Sequence, residues 1–197
     1  MKKTKLSDDE FAAIAIFLHA QKVPGLDLDL TRFNDAQIQK AQAKLKQAGH
    51  MVPGDRPGTW HLDEQLMLQV LTVVQPKHLV LVQDLVGKRS MQFSIDQKNI
   101  TAVICIEGGF IVADVKNLSA LSKHAIEFLD GSRKARVAFA KVDGNQLAKG
   151  SKVEVTNGVL EKVSADLESS GDNRLTPERL YKVVVKRLGG LGFEMKD

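Results

Sequence analysis

Residues 91–115 read MQFSIDQKNITAVICIEGGFIVADV, and this stretch decides the fold because it reads as three β-strands in succession. Residues 100–107 place Ile100, Ala102, Ile104 and Ile106 on one face and Thr101, Val103 and Cys105 on the other, since successive strand side chains point to opposite sides. With both faces largely apolar, the expectation is a central strand covered on both sides, with Cys105 as a small buried hydrophobe. Gly108 and Gly109 supply two residues free to take positive φ, as a two-residue hairpin loop needs. That loop sets Glu107 opposite Phe110, Ile106 opposite Ile111, Ile104 opposite Ala113 and Ala102 opposite Val115. Met91, Phe93 and Ile95 share one side of the preceding strand and must join the aliphatic face. A slip of one residue would turn them away, so the connection to Ile100 holds an even number of residues, either Lys98-Asn99 or residues 96–99.

Working outward, the N-terminal third reads as helical. Ser7-Asp-Asp-Glu10 has the form of a capping box, with Leu6 and Phe11 as its hydrophobic staple. Residues 11–18, FAAIAIFL, are apolar all round, so this helix is expected to be buried between layers or, in some portion, to contact another chain. LDLDL at 26–30 alternates as an extended segment with Asp27 and Asp29 outward. Asn34 with Gln37 starts a second helix that stops at Gly49, with Ile38, Ala41, Leu45 and Ala48 as its core line. Residues 51–62, MVPGDRPGTWHL, form two short extended pieces around a Pro/Gly turn. Asp63 caps a third helix that ends at Pro76.

Downstream, residues 78–83 form the first strand of the main sheet. Asn117 caps a helix to Leu129, with Leu118, Leu121, Ile126 and Leu129 inward. Residues 136–142 form another strand, and 152–163 a hairpin turning at Asn157-Gly158. Residues 161–173 read as a linker. Thr176-Pro177 opens a last helix with Leu180, Val183, Val184 and Leu188 or Arg187 inward. The expected fold is therefore α+β: an antiparallel meander sheet flanked by N-terminal helices and a C-terminal helix. All of it forms one domain, with a helical N-terminal subdomain over residues 1–76 and the sheet within residues 77–197. The expected core comprises Phe11, Ile14, Leu18, Leu45, Leu66, Val70, Phe93, Ile104, Ile106, Ile111, Val115, Ile126 and Val183.

Composition bounds the function. The chain has 197 residues, 43% of them hydrophobic and 26% charged, with a net charge of +4, as ordinary globular proteins do. The basic bias is compatible with nucleic acid or an acidic partner and diagnostic of neither. A single cysteine excludes a disulfide framework and a cysteine-based metal site. MKKTK runs directly into SDDE without an apolar stretch, and no run reaches the ~18 residues of a membrane span, so a cytoplasmic location without membrane contact is expected.

Chemistry is hard to place. His19, His50, His61, His78 and His124 share no spacing that sets two on one helix face, and there is no HExxH, GxSxG, P-loop or strand-following GxGxxG. Gly189-Gly-Leu-Gly192 follows a helix, the wrong context for a phosphate cradle. The expectation is a protein without catalytic residues, cofactor or metal. One segment has a functional look: a helix at 34–48 followed by the 51–62 hairpin is similar to the second half of a winged helix. In that reading Lys40, Lys44 and Arg56 contact phosphates and Trp60 faces the duplex, although Asp27 and Asp29 would repel it. The other reading makes Arg56, Trp60 and His61 a contact point for a protein partner, because large aromatics with arginine favour binding hot spots. An exposed first helix would also drive self-association.

KQAGHMV at 46–52, the apolar helix ending at Pro76, the strand LVLVQ, and the run ITAVICIEGGFIVADVKNLSALSKHAIEFL at 100–129 together resemble the EspG-type proteins, cytosolic chaperones of type VII secretion that hold helical PE–PPE substrates. The resemblance covers residues 45–129. It implies a sheet flanked by helices, a non-catalytic role and a helical protein partner, and it assigns no individual binding residue.

Overall fold

The structure is a computed structural model that describes residues 3–144, 146–161 and 174–194. The expected meander is present. Strands β4 (His78–Asp84), β5 (Arg89–Ile95), β6 (Ile100–Ile106) and β7 (Gly109–Val115) pair antiparallel in sequence order. They form the middle of an eight-stranded sheet ordered β1-β7-β6-β5-β4-β8-β9-β10, where β1 is Lys3–Ser7, β8 Lys134–Asp143, β9 Gln146–Thr156 and β10 Val159–Glu161. Phe93 lies opposite Ala102 and Ile95 opposite Ile100, so the β5–β6 connection is the four-residue one. Its turn is closed by the Asp96 carboxylate, which accepts from the Lys98 and Asn99 amides, each at 2.6 Å.

The β6–β7 register differs from the expected one by two residues, because the loop is Glu107-Gly108 and Ile104 faces Ile111. A shift of two keeps every side chain on its face, and the physical reason lies outside the hairpin. Gly109 pairs with Ser7 of β1, and a Cβ there would run into the Leu6 carbonyl oxygen. Gly108 supplies the positive φ of +70°; Gly109 supplies room for an edge strand that the lysine-rich N-terminus does not announce.

Helices cover both faces. Ser7 ends β1 and caps α1 (Asp8–Phe17): its Oγ accepts from the Glu10 amide at 3.3 Å, and the Glu10 carboxylate accepts from the Ser7 amide at 2.8 Å. Asn34 and Gln37 make the same reciprocal box for α2 (Asp35–Gln47). Asp63 caps α3 (Glu64–Val74). On this face Phe11, Ile14, Leu45, Leu66, Val70 and Val73 bury against Val103, Phe110 and Val112 of the sheet. The LDLDL segment is irregular and ends in a short 3-10 turn at Leu30–Arg32, with Leu30 buried and Asp27 and Asp29 exposed. The opposite face is covered by α4 (Leu118–Leu129) and α5 (Pro177–Gly189), which pack Leu121, Ala125, Leu180, Val183, Val184 and Leu188 on Val80, Phe93, Val137 and Phe139.

Several residues depart from expectation. Cys105 is exposed, not buried: β5 pairs with β6 only as far as Met91 opposite Ile104, so Cys105 projects beyond that pairing near the turn. Ile106 also lies beyond that pairing and is half-buried, and Ile104, Ile111, Leu18 and Ile126 are half-buried as well. Strand β9 begins at Gln146, earlier than its alternation suggests, and the linker expected at 161–173 falls outside the described residues from 162 onward. The Asn157-Gly158 turn is as expected, with both φ angles positive at 49° and 74°.

The fully and partly covered core positions separate in energy. Phe93→Ala, at 0% exposure, should cost about 3–5 kcal/mol of unfolding free energy by lost transfer and cavity terms. Ile104→Ala should cost less than half as much because part of its surface already meets water. Urea titration checks both, and equal losses would contradict the graded cover of β6.

Candidate interaction surface

The hairpin that the sequence singles out is real. Strands β2 (Met51–Pro53) and β3 (Trp60–Leu62) pair with Met51 opposite Leu62 and Val52 opposite His61. It is tied to its helices: His50 N donates to the Leu45 carbonyl and Asp63 N to the His50 carbonyl, each at 2.8 Å. The tip is braced by Thr59, whose amide and hydroxyl both donate to the Arg56 carbonyl, at 3.0 and 2.7 Å. Arg56 therefore has a fixed backbone and an exposed side chain.

Alternation then divides the three residues expected as one contact point. Trp60 shares the inward face with the buried Met51 and Leu62, whereas His61 stands on the outward face beside Val52, which is 44% exposed. The His61 ring lies over Gly54, where a Cβ would come within 2.7 Å of Nε2. The Trp60 ring is half-buried, and the Lys46 ammonium sits 4.1 Å from its centroid, a distance at which the ring quadrupole attracts a cation. Lys46 is thus occupied within the chain, whereas Lys40 and Lys44 are exposed one turn apart on α2.

The surroundings of this hairpin are not evident from sequence. Four of the large hydrophobics exposed in the structure, Ile16, Phe17, Val52 and Leu68, belong to α1, β2 and α3 of the same helical layer. The apolar helix α1 is buried from Phe11 to Ala15, but its last turn is not, with Phe17 at 45% exposure. Its uniform apolarity is the signal that points there.

Elsewhere the polar groups serve structure. Asp84, buried at the β4–β5 turn, accepts from the Val86 and Gly87 amides at 3.2 and 2.9 Å and from Arg89 at 2.9 Å. The Gly87 amide first, then Arg89, hold its carboxyl below the usual range. His78 is 5% exposed and lines a cavity of about 250 Å³ together with Lys77, Asp96, Gln97 and Phe193. Its Nε2 lies 3.3 Å from the Leu191 carbonyl, Nδ1 is buried without a partner, and the ring meets Phe193 edge-on. Burial first, opposed by the Leu191 hydrogen bond and aided by Lys141 and Lys77, lowers its pKa from the ordinary 6.5. Among the described residues no three His, Cys, Asp or Glu side chains gather as metal ligands, and no helix is long and apolar enough to cross a membrane.

No protein family matches the chain by sequence, and no curated protein does. Solved structures do match by shape. The Mycobacterium tuberculosis type VII secretion system chaperone EspG5, solved in complex with a PE25–PPE41 dimer, superimposes with a TM-score of 0.63 over 98% of this chain and 97% of that one, at 10% sequence identity. The likeness of fold to EspG5 covers 98% of the chain, beyond residues 45–129 that carry the sequence resemblance.

Two measurements test the local geometry. Lys46→Ala should red-shift Trp60 emission and raise its quenching by acrylamide; an unchanged spectrum would mean that the ammonium does not cover the ring. For His78, burial disfavours the imidazolium, so the unfolded chain binds the proton first as pH falls. Stability should be fully present above pH 6.5 and decline below it, with an NMR titration midpoint for His78 under 6.5; a midpoint at or above that value would contradict the burial.

Proposed function

We propose that this chain is a non-catalytic cytosolic adaptor or chaperone, of the secretion-associated kind, that holds a helical protein partner on its N-terminal helical layer. The observation that carries the proposal is the end-to-end correspondence with EspG5, a chaperone whose solved complex contains the PE25–PPE41 dimer. The exposed Phe17, Val52 and Leu68 supply apolar area, and Arg56 and His61 supply polar groups at its rim. That combination of apolar anchors and a polar border is how protein interfaces are built. Trp60 contributes from below by fixing the hairpin on Lys46.

The alternative is a DNA-binding regulator, favoured by the exposed Lys40 and Lys44 on a helix that leads into a hairpin. One pair of titrations separates the two. Against helical PE–PPE-type heterodimers, size exclusion with light scattering should show a complex of one chain per dimer, and Val52→Asp with Arg56→Ala should weaken it at least tenfold without lowering thermal stability. Against random duplex DNA, the chain should not bind at low salt. Duplex binding that weakens steeply with salt, as release of several phosphate counterions requires, and that is lost in Lys40→Glu/Lys44→Glu, would replace the chaperone reading.

A further inference from the structure

A second surface, independent of the helical-partner reading, lies at the far edge of the sheet. Strand β9 runs for 11 residues, yet β10 pairs only with Glu154, Val155 and Thr156. Among the described residues, no strand pairs with the outer side of 149–153. The direction of the outward-facing groups follows from hydrogen-bond parity. Asn157 N donates to the Arg133 carbonyl at 2.9 Å, so the alternation of an antiparallel pair turns Val155, Val153, Ser151 and Lys149 toward β8 and leaves the N–H and C=O of Gly150 and Lys152 pointing outward. A register shift between Lys141 and Val142 ends the regular edge just before Lys149.

The side chains along this edge select what can pair with it. Lys141 of β8 lies directly opposite Lys149 of β9, and both are exposed. Like charges in that position are destabilising, and neither lysine has a carboxylate partner among the described residues. Residues 144–153 contain no acidic residue. On the other face of the same edge stand Gly150, opposite the half-exposed Ala140, and Lys152, opposite the half-exposed Ala138, so the small apolar contact there is centred on Gly150 and Ala140. Lys152 is already paired with Glu154 at 3.3 Å. A second copy of this chain on the same edge would set Lys149 and Lys152 of both copies along one seam, the arrangement by which edge strands resist self-pairing.

We infer that the 149–153 edge accepts, by strand addition, an extended acidic segment of a partner protein in which carboxylates alternate with apolar residues. The carboxylates stand over Lys141 and Lys149, the apolar side chains stand over Gly150 and Ala140, and the Gly150 and Lys152 main chains supply the hydrogen bonds. Such recognition draws affinity from the main chain and specificity from alternate side chains.

The test uses the full chain and three blocked octapeptides: alternating Val and Glu, the same with Lys for Glu, and the Val/Glu peptide with two central prolines. The Val/Glu peptide should bind and slow amide exchange at Gly150 and Lys152, the lysine peptide should bind at least tenfold more weakly, and the proline peptide should not protect those amides. Lys141→Glu/Lys149→Glu, both at exposed positions, should invert the preference between the first two. Three results would overturn the inference: equal binding of the proline peptide, protection located elsewhere, or Gly150 and Lys152 amides already slow in the free protein, which would mean the edge is paired within the chain. Loss of helical-partner binding would leave these readouts untouched, so the two proposals fail separately.

Discussion

The rest of this structure depends on β6 and β7 having apolar side chains on both of their faces. A strand with Ala102 on one side and Val103 on the other, each at most 2% exposed, must be covered twice, and the chain arranges its helices accordingly. Helices α1 to α3 precede the meander and close the face of Val103 and Val112, and α4 and α5 follow it and close the face of Phe93 and Val80. Where helices do not reach, a loop does: Gln92, 1% exposed, donates to the Pro24 carbonyl and to Ser94 Oγ, each at 3.0 Å, and Gly25 packs against it without room for a Cβ. Leaving the Gln92 Nε2 donor unpaired there would cost about 1–3 kcal/mol, so the Pro24 carbonyl holds the loop at residues 21–31 along with Leu30, while Gln92 Oε1 stays buried without a partner.

What is legible in the sequence is local. Each α-helix start among the described residues can be read because a cap is made by neighbours in sequence: Ser7 with Glu10, Asn34 with Gln37, Asp63, Asn117 and Thr176 before Pro177. The faces of β5, β6 and β7 can be read from period two. Features decided by distant contacts cannot. The hairpin register moves by two because Gly109 answers to β1, at the other end of the N-terminal helical layer in sequence, and Cys105 is exposed because pairing on one side stops at Ile104. The full length of the β8–β9 pair is hidden because Gln146 to Gly150 lacks alternation, being exposed on both sides.

The candidate site follows the same rule. Arg56, Trp60 and His61 are near neighbours in sequence, and a strand necessarily splits adjacent residues between its faces. Trp60 becomes a support under Lys46, while Val52 joins His61 on the outside, a pairing set by strand register that composition does not carry. The likeness to EspG5 is one of fold, and the binding role proposed above rests on that likeness together with the exposed apolar side chains of the helical layer.

The most direct test is a hydrogen-exchange footprint of this chain in complex with a helical PE–PPE-type heterodimer. Slowed exchange should be confined to the end of α1, to the β2–β3 hairpin around Val52 and His61, and to the exposed side of α3, with α4 and α5 unchanged. A footprint centred on α4 and α5, or on the cavity beside His78, would contradict binding through the N-terminal helical layer.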